Sequence, residues 1–132
     1  MNTMNTLKTF TLFAFLFFIC NSLYSQDVTQ IQGKWKEHWG TGNVTDIEYN
    51  DVFIISVNNG KIYINCENRD NYLVRKIVYD GEELSFEILN TAYNDVIPYL
   101  LKLSTDKKWL KGTAVSAKGK TVNVKWEKVI DE

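Results

Sequence analysis

Asn59-Gly60 and Asp80-Gly81 each separate two runs rich in β-branched and aromatic residues: Val52–Val57 from Ile62–Cys66, and Tyr72–Tyr79 from Glu82–Leu89. Both dipeptides suit the two-residue type I′ turn, whose positive φ angles and twist match paired strands. A two-residue turn fixes register, so facing residues can be counted off. Around Asn59-Gly60, Val57 faces Ile62, Ile55 faces Ile64 and Phe53 faces Cys66. Around Asp80-Gly81, Ile77 faces Leu84, Arg75 faces Phe86 and Leu73 faces Ile88. The opposite face holds Ser56 with Tyr63, Ile54 with Asn65, Lys76 with Ser85, Val78 with Glu83 and Val74 with Glu87, and is more polar. These two hairpins predict one sheet with a dry side and a wet side.

Four more strands are expected around them. Ile31–Trp39 is the first, after a turn at Val28–Gln32, and 40–50 is a long polar connection. Val96–Leu103 follows the loop at 90–95, and its Pro98, lacking a ladder donor, argues for an edge or bulged position. Trp109–Ser116 and Thr121–Val129 form the last hairpin through Ala117-Lys118-Gly119, a three-residue loop with glycine in the left-handed position. That register pairs Leu110 with Trp126, Gly112 with Val124 and Ala114 with Val122. Eight short strands with one dry face each predict an all-β, eight-stranded antiparallel up-and-down barrel, because closure removes the edges an open sheet exposes.

Gly33-Lys34-Trp35 at the head of the first strand resembles the Gly-x-Trp signature of the lipocalins. In that family the Trp plugs the closed end of the barrel under a basic residue of the last strand. The resemblance gives Gly33, Trp35 and Lys128 this structural role, with Lys where the family usually has Arg. It also implies a first strand paired to the last, and the long 40–50 loop lying over the open mouth. The chain is similar to a minimal bacterial-type lipocalin-like domain without the family's C-terminal helix. The avidin family, which also opens a barrel with Gly-x-Trp, is the second resemblance.

The N-terminal segment has the pattern of a secretory signal peptide. Lys8 precedes the apolar run Phe10–Cys20, which is shorter than the roughly 20 residues needed to span a bilayer. Residues 1–26 are expected to be cleaved near Ser25 or Gln26, leaving 27–132 as a secreted or periplasmic barrel domain. An uncleaved membrane anchor and a lipoprotein site at Cys20 are the alternatives. Cleavage removes Lys8 and no acid, so the net charge of −1 falls by one unit. That near-balance excludes a nucleic-acid footprint. Cys66 is then the sole cysteine, and an intramolecular disulfide is impossible.

Counting inward from Trp35 and through the second hairpin places Glu37, Phe53, Ile55, Ile64, Leu73, Arg75, Leu84, Phe86, Ile88, Tyr99 and Leu101 inside the barrel. An inward guanidinium must be paired, either with Glu37 or with the carboxylate or phosphate of a ligand. Candidate ligand-binding residues are therefore Arg75, Glu37, Phe86, Tyr99, Trp39 and Tyr72, with Tyr49 and Tyr93 at the mouth. His38, the sole histidine, alternates outward to the rim, which favours a solvated side chain over a haem ligand. No metal cluster, catalytic constellation or cofactor motif is present, so the chain reads as a non-enzyme. The expected function is binding of a small hydrophobic or amphipathic, possibly acidic, molecule in the barrel. The alternative is a filled barrel acting as an interaction module, pairing with a protein partner or a second copy through outward Ile54, Tyr63 and Val74, beside Val52 and Val78.

Overall fold

The computed structural model describes residues 28–39 and 51–130. The expected signal peptide, its cleavage site and the 40–50 loop with Tyr49 lie outside the described residues. Eight strands follow in chain order: β1 (Gly33–Trp39), β2 (Val52–Asn58), β3 (Lys61–Cys66), β4 (Tyr72–Tyr79), β5 (Glu83–Asn90), β6 (Asp95–Leu103), β7 (Trp109–Val115) and β8 (Thr121–Lys128). All pair antiparallel in one sheet ordered β3-β2-β1-β8-β7-β6-β5-β4. The result is a nearly closed up-and-down barrel, with β1 and β8 as neighbours in mid-sheet. Ahead of β1, Ile31 N–H donates to the Val28 carbonyl (3.2 Å), one turn that folds Val28 and Ile31 into the core.

Two hairpins have the register expected of their turns. Asn59 (φ 53°) and Gly60 (φ 76°) occupy the positive-φ positions of a type I′ turn, and Phe53, Ile55 and Val57 meet Cys66, Ile64 and Ile62. At the β7–β8 end, Gly119 has φ 78° and Ser116 N–H donates to the Lys120 carbonyl (2.8 Å), so Leu110 meets Trp126 and Ala114 meets Val122. Pro98 pairs with Glu87 of β5, while the β6–β7 ladder starts only at Tyr99, so the proline sits where β6 has one flank unpaired.

The second hairpin differs from its expected register. Asp80 N–H donates to the Glu83 carbonyl (3.2 Å), and Asp80 Oδ1 accepts the N–H groups of Glu82 (2.9 Å) and Glu83 (2.7 Å). The two central residues are therefore Gly81 and Glu82, with Gly81 at φ 96°, the glycine-first pattern of a type II′ turn. This slips the pairing by two residues, to Tyr79 with Leu84 and Val78 with Ser85. Such a slip alone would keep Arg75 on the dry face. A β-bulge turns it over: Lys76 (φ 55°) and Ile77 together oppose the single residue Phe86. Beyond the bulge Tyr72 and Val74 pack against the core, while Leu73 is 53 % exposed and Arg75 pairs with Glu87 outside.

No ladder joins β3 to β4, so the ring is incomplete at that seam. The apolar core lies inside the barrel. Trp126 stacks on Phe53 (4.4 Å between ring centroids), and Phe86 stacks on Tyr99 (4.7 Å) and lies 5.4 Å from Trp126. Cys66 is a free, half-buried thiol packed against this core.

Candidate functional site

Trp35 and Lys128 face each other across the β1–β8 ladder. The Trp35 ring is fully buried, its Nε1–H donates to the Ile31 carbonyl (2.9 Å), and Lys128 Nζ lies 5.4 Å from the ring centroid. A cation over an indole face contributes about 0.5–2 kcal/mol. Gly33 has φ 131°, and a Cβ there would stand 3.4 Å from Lys128 Cε, so glycine leaves the lysine stem its path over the Trp. These contacts bring Gly33, Trp35 and Lys128 together on neighbouring strands.

Two residues further along β1, Glu37 points into the barrel and is 2 % exposed. Its partner across the β1–β8 ladder is Trp126. Glu37 Oε2 accepts both Trp126 Nε1–H (2.8 Å) and Tyr99 O–H (2.8 Å), and Oε1 accepts Trp39 Nε1–H. Burial pushes this carboxyl up from 4.5 to about 6. The hydrogen bonds from Trp126, Tyr99 and Trp39 oppose that rise, and the negative Asp51 adds slightly to it. Tyr99 is held well above its ordinary value, first by burial and then by the Glu37 charge. The Glu37 backbone is tied to Asp51, whose carbonyl accepts the Glu37 N–H (2.9 Å).

Asp51 is the second buried acid. Its Oδ1 accepts Arg69 Nε–H (2.7 Å) and Asn68 Nδ2–H (3.4 Å), while the Arg69 guanidinium lies 5.4 Å from the Tyr72 ring centroid. Asn68 Oδ1 also accepts the Val52 N–H (3.1 Å). The connection between β3 and β4 is thereby fastened to the start of β2, beside Glu37.

The structure thus gathers Glu37, Trp39, Phe86 and Tyr99 in one cluster, with Tyr72 inward among the residues packed on the core. Arg75 does not join them. It is on the outer wall, where its Nε–H donates to Glu87 Oε2 (3.2 Å), and Lys76 shares the same carboxylate (3.4 Å). Arg75 therefore neither pairs with Glu37 nor offers an inward cation to a ligand acid. Leu73 and Val74 exchange faces for the same reason, the bulge at Lys76. His38 lies outward as expected, 6.1 Å from the Trp109 ring and 3.9 Å from Glu127. Tyr93 is exposed. Among the described residues no group of three His, Cys, Asp or Glu could hold a metal.

Trp126 was absent from the ligand-binding candidates, and so was the Asp51–Arg69 pair. The first was within reach: placing Trp35 opposite Lys128 on antiparallel strands puts Glu37 opposite Trp126 by counting two residues. The second had no sequence signal, because it joins two loops. No protein-family model matches the chain, and no curated protein or solved structure matches it either.

Proposed function

We propose that this chain is a secreted or periplasmic, non-enzymatic binding protein of lipocalin-like build, holding a small amphipathic molecule at the open end of its barrel with Glu37 as polar anchor. The observation that carries this reading is a buried carboxylate that, among the described residues, accepts from three aromatic donors. A core held together by packing has no need of such a group, because burying an acid costs free energy that apolar residues avoid. A carboxylate has about four acceptor positions. Among the described residues Trp39, Tyr99 and Trp126 occupy three, which leaves a position for a ligand donor. With Arg75 outside, the interior polar group is an acid, so the ligand head is an amine or hydroxyl rather than a carboxylate. Trp39, Tyr72 and Tyr99 supply aromatic walls, which favour a cationic head.

Trp39 and Trp126 both touch Glu37, so tryptophan emission reports on this site. Sub-micellar n-decylamine and n-decanol should each change it saturably, with decylamine binding more tightly. Glu37→Gln should weaken decylamine by about tenfold, the loss expected for one hydrogen bond to a charged group. Unchanged emission with both probes, together with no retained small molecule in native mass spectra of protein from its own source, overturns the reading.

A second reading, a partner-binding outer wall, is favoured by exposed apolar side chains on β4 and β6. These are Leu73, Val78, Val96 and Leu100. Tyr63 also stays exposed, but Val74 faces inward, so the apolar strip lies further round the barrel than the sequence indicated.

A further inference from the structure

We infer that the open seam between β3 and β4 is a second binding site, for a free single-chain amphiphile with an anionic head. The seam holds a cleft of about 480 Å³. That lies within the range of about 300–1,000 Å³ that small-molecule sites occupy. Its apolar lining comes from Ile62 on β3 and from Val74 and Ile77 on β4, and its cations are Lys61, Arg75 and Lys76. No acid lines it. In a protein with a net charge of −1, three cations on one cleft are a local excess.

Glu87 accepts from both Arg75 and Lys76, one carboxylate against two cations, while Lys61 Nζ lies 5.5 Å from the Tyr63 ring. The group therefore keeps positive charge for a carboxylate or phosphate monoester. The backbone adds to it: facing edges without a ladder between them present N–H groups as further donors. The bulge makes both halves of the site. It bends β4, and it turns Arg75 outward while leaving Val74 and Ile77 on the apolar side. A cleft of this volume with apolar lining and a basic rim suits one alkyl chain with its head at the rim. A bilayer surface would meet the cations and leave the lining empty.

The test is amide chemical-shift mapping on the whole mature chain, with sub-micellar decanoate, decanol and inorganic phosphate as separate probes. Decanoate should shift the amides of 61–63 and 74–79 saturably, and added salt should weaken it. Decanol should bind the same amides at least about threefold more weakly. The exposed double change Lys61→Gln with Lys76→Gln should weaken decanoate by about three- to tenfold, the range for two exposed ion pairs. The comparison of decanoate with decanol needs no variant. Decanoate shifts confined to Trp39, Tyr72 and Tyr99 would overturn the inference by placing the acid in the barrel mouth. An equal response of the seam to phosphate alone would overturn it as an adventitious ion only. Seam shifts with anionic-lipid vesicles but not with decanoate would overturn it in favour of a membrane surface.

Discussion

Glu37 carries a proton more readily in the folded chain than in the unfolded one, and the direction of its effect on stability follows from that. Its pKa rises on folding from 4.5 to about 6, with burial as the leading cause. The native state therefore binds the proton more tightly, and the associated stability is complete below pH 4.5 and lost as pH rises through about 6. A rise of this size corresponds to about 2 kcal/mol. Urea titrations of wild type and Glu37→Gln at pH 4, 5, 6 and 7 should show wild type losing about 2 kcal/mol relative to the variant across that interval. Parallel pH profiles would mean that Glu37 ionises freely in the fold. The inward direction of Glu37 was legible from alternation along its strand. Its partners are not, because Arg75, the inward cation that simple pairing places near it, is turned outward by the bulge at Lys76.

At the scale of elements, the first and last hairpins were legible because turn chemistry and alternation agree in each. The second hairpin carries two local departures whose sequence signals are weak. An Asp-Gly pair serves equally as the centre of one turn or, with the Asp side chain accepting two N–H groups, as the entry to another. The bulge falls on Lys76, an ordinary strand residue with no glycine to mark it. Positive φ costs a non-glycine residue about 1–2 kcal/mol. Lys76→Gly should therefore leave stability unchanged or raise it by up to about 1 kcal/mol, whereas β-branched Lys76→Val should lower it by at least about 1 kcal/mol. Denaturant midpoints of the two variants measure the difference. If both lose stability equally, the left-handed conformation at Lys76 is not the controlling feature.

For the whole molecule, the barrel was the part of the structure most fully legible, since eight dry-faced strands with short turns leave few ways to cover their edges. The incomplete seam was not legible, because neither strand count nor turn chemistry says which neighbouring strands stay without a ladder. Trp35 is fully buried, with its Nε1–H on the Ile31 carbonyl and Lys128 Nζ over its ring. Trp35→Ala should cost about 3–5 kcal/mol, the range for a large buried aromatic. A loss below about 1 kcal/mol would overturn the expected plug role.

The ladder between β1 and β8 has a consequence for how the chain is threaded. Gly33 and Lys128 end up at the same pole, and Val129 N–H donates to the Lys34 carbonyl (2.9 Å). The two margins of the sheet, β3 and β4, are by contrast consecutive in sequence and joined only by 67–71. Traced from β4 onward, the spatial order runs β4 through β8 and then β1 through β3, which is the chain order rotated. A circular permutant spliced between the ends of β8 and β1 and opened at 67–71 would cross the sheet from one margin to the other as an unbroken meander. The break would cut no ladder; what it would disturb is the clasp of Asn68 and Arg69 on Asp51.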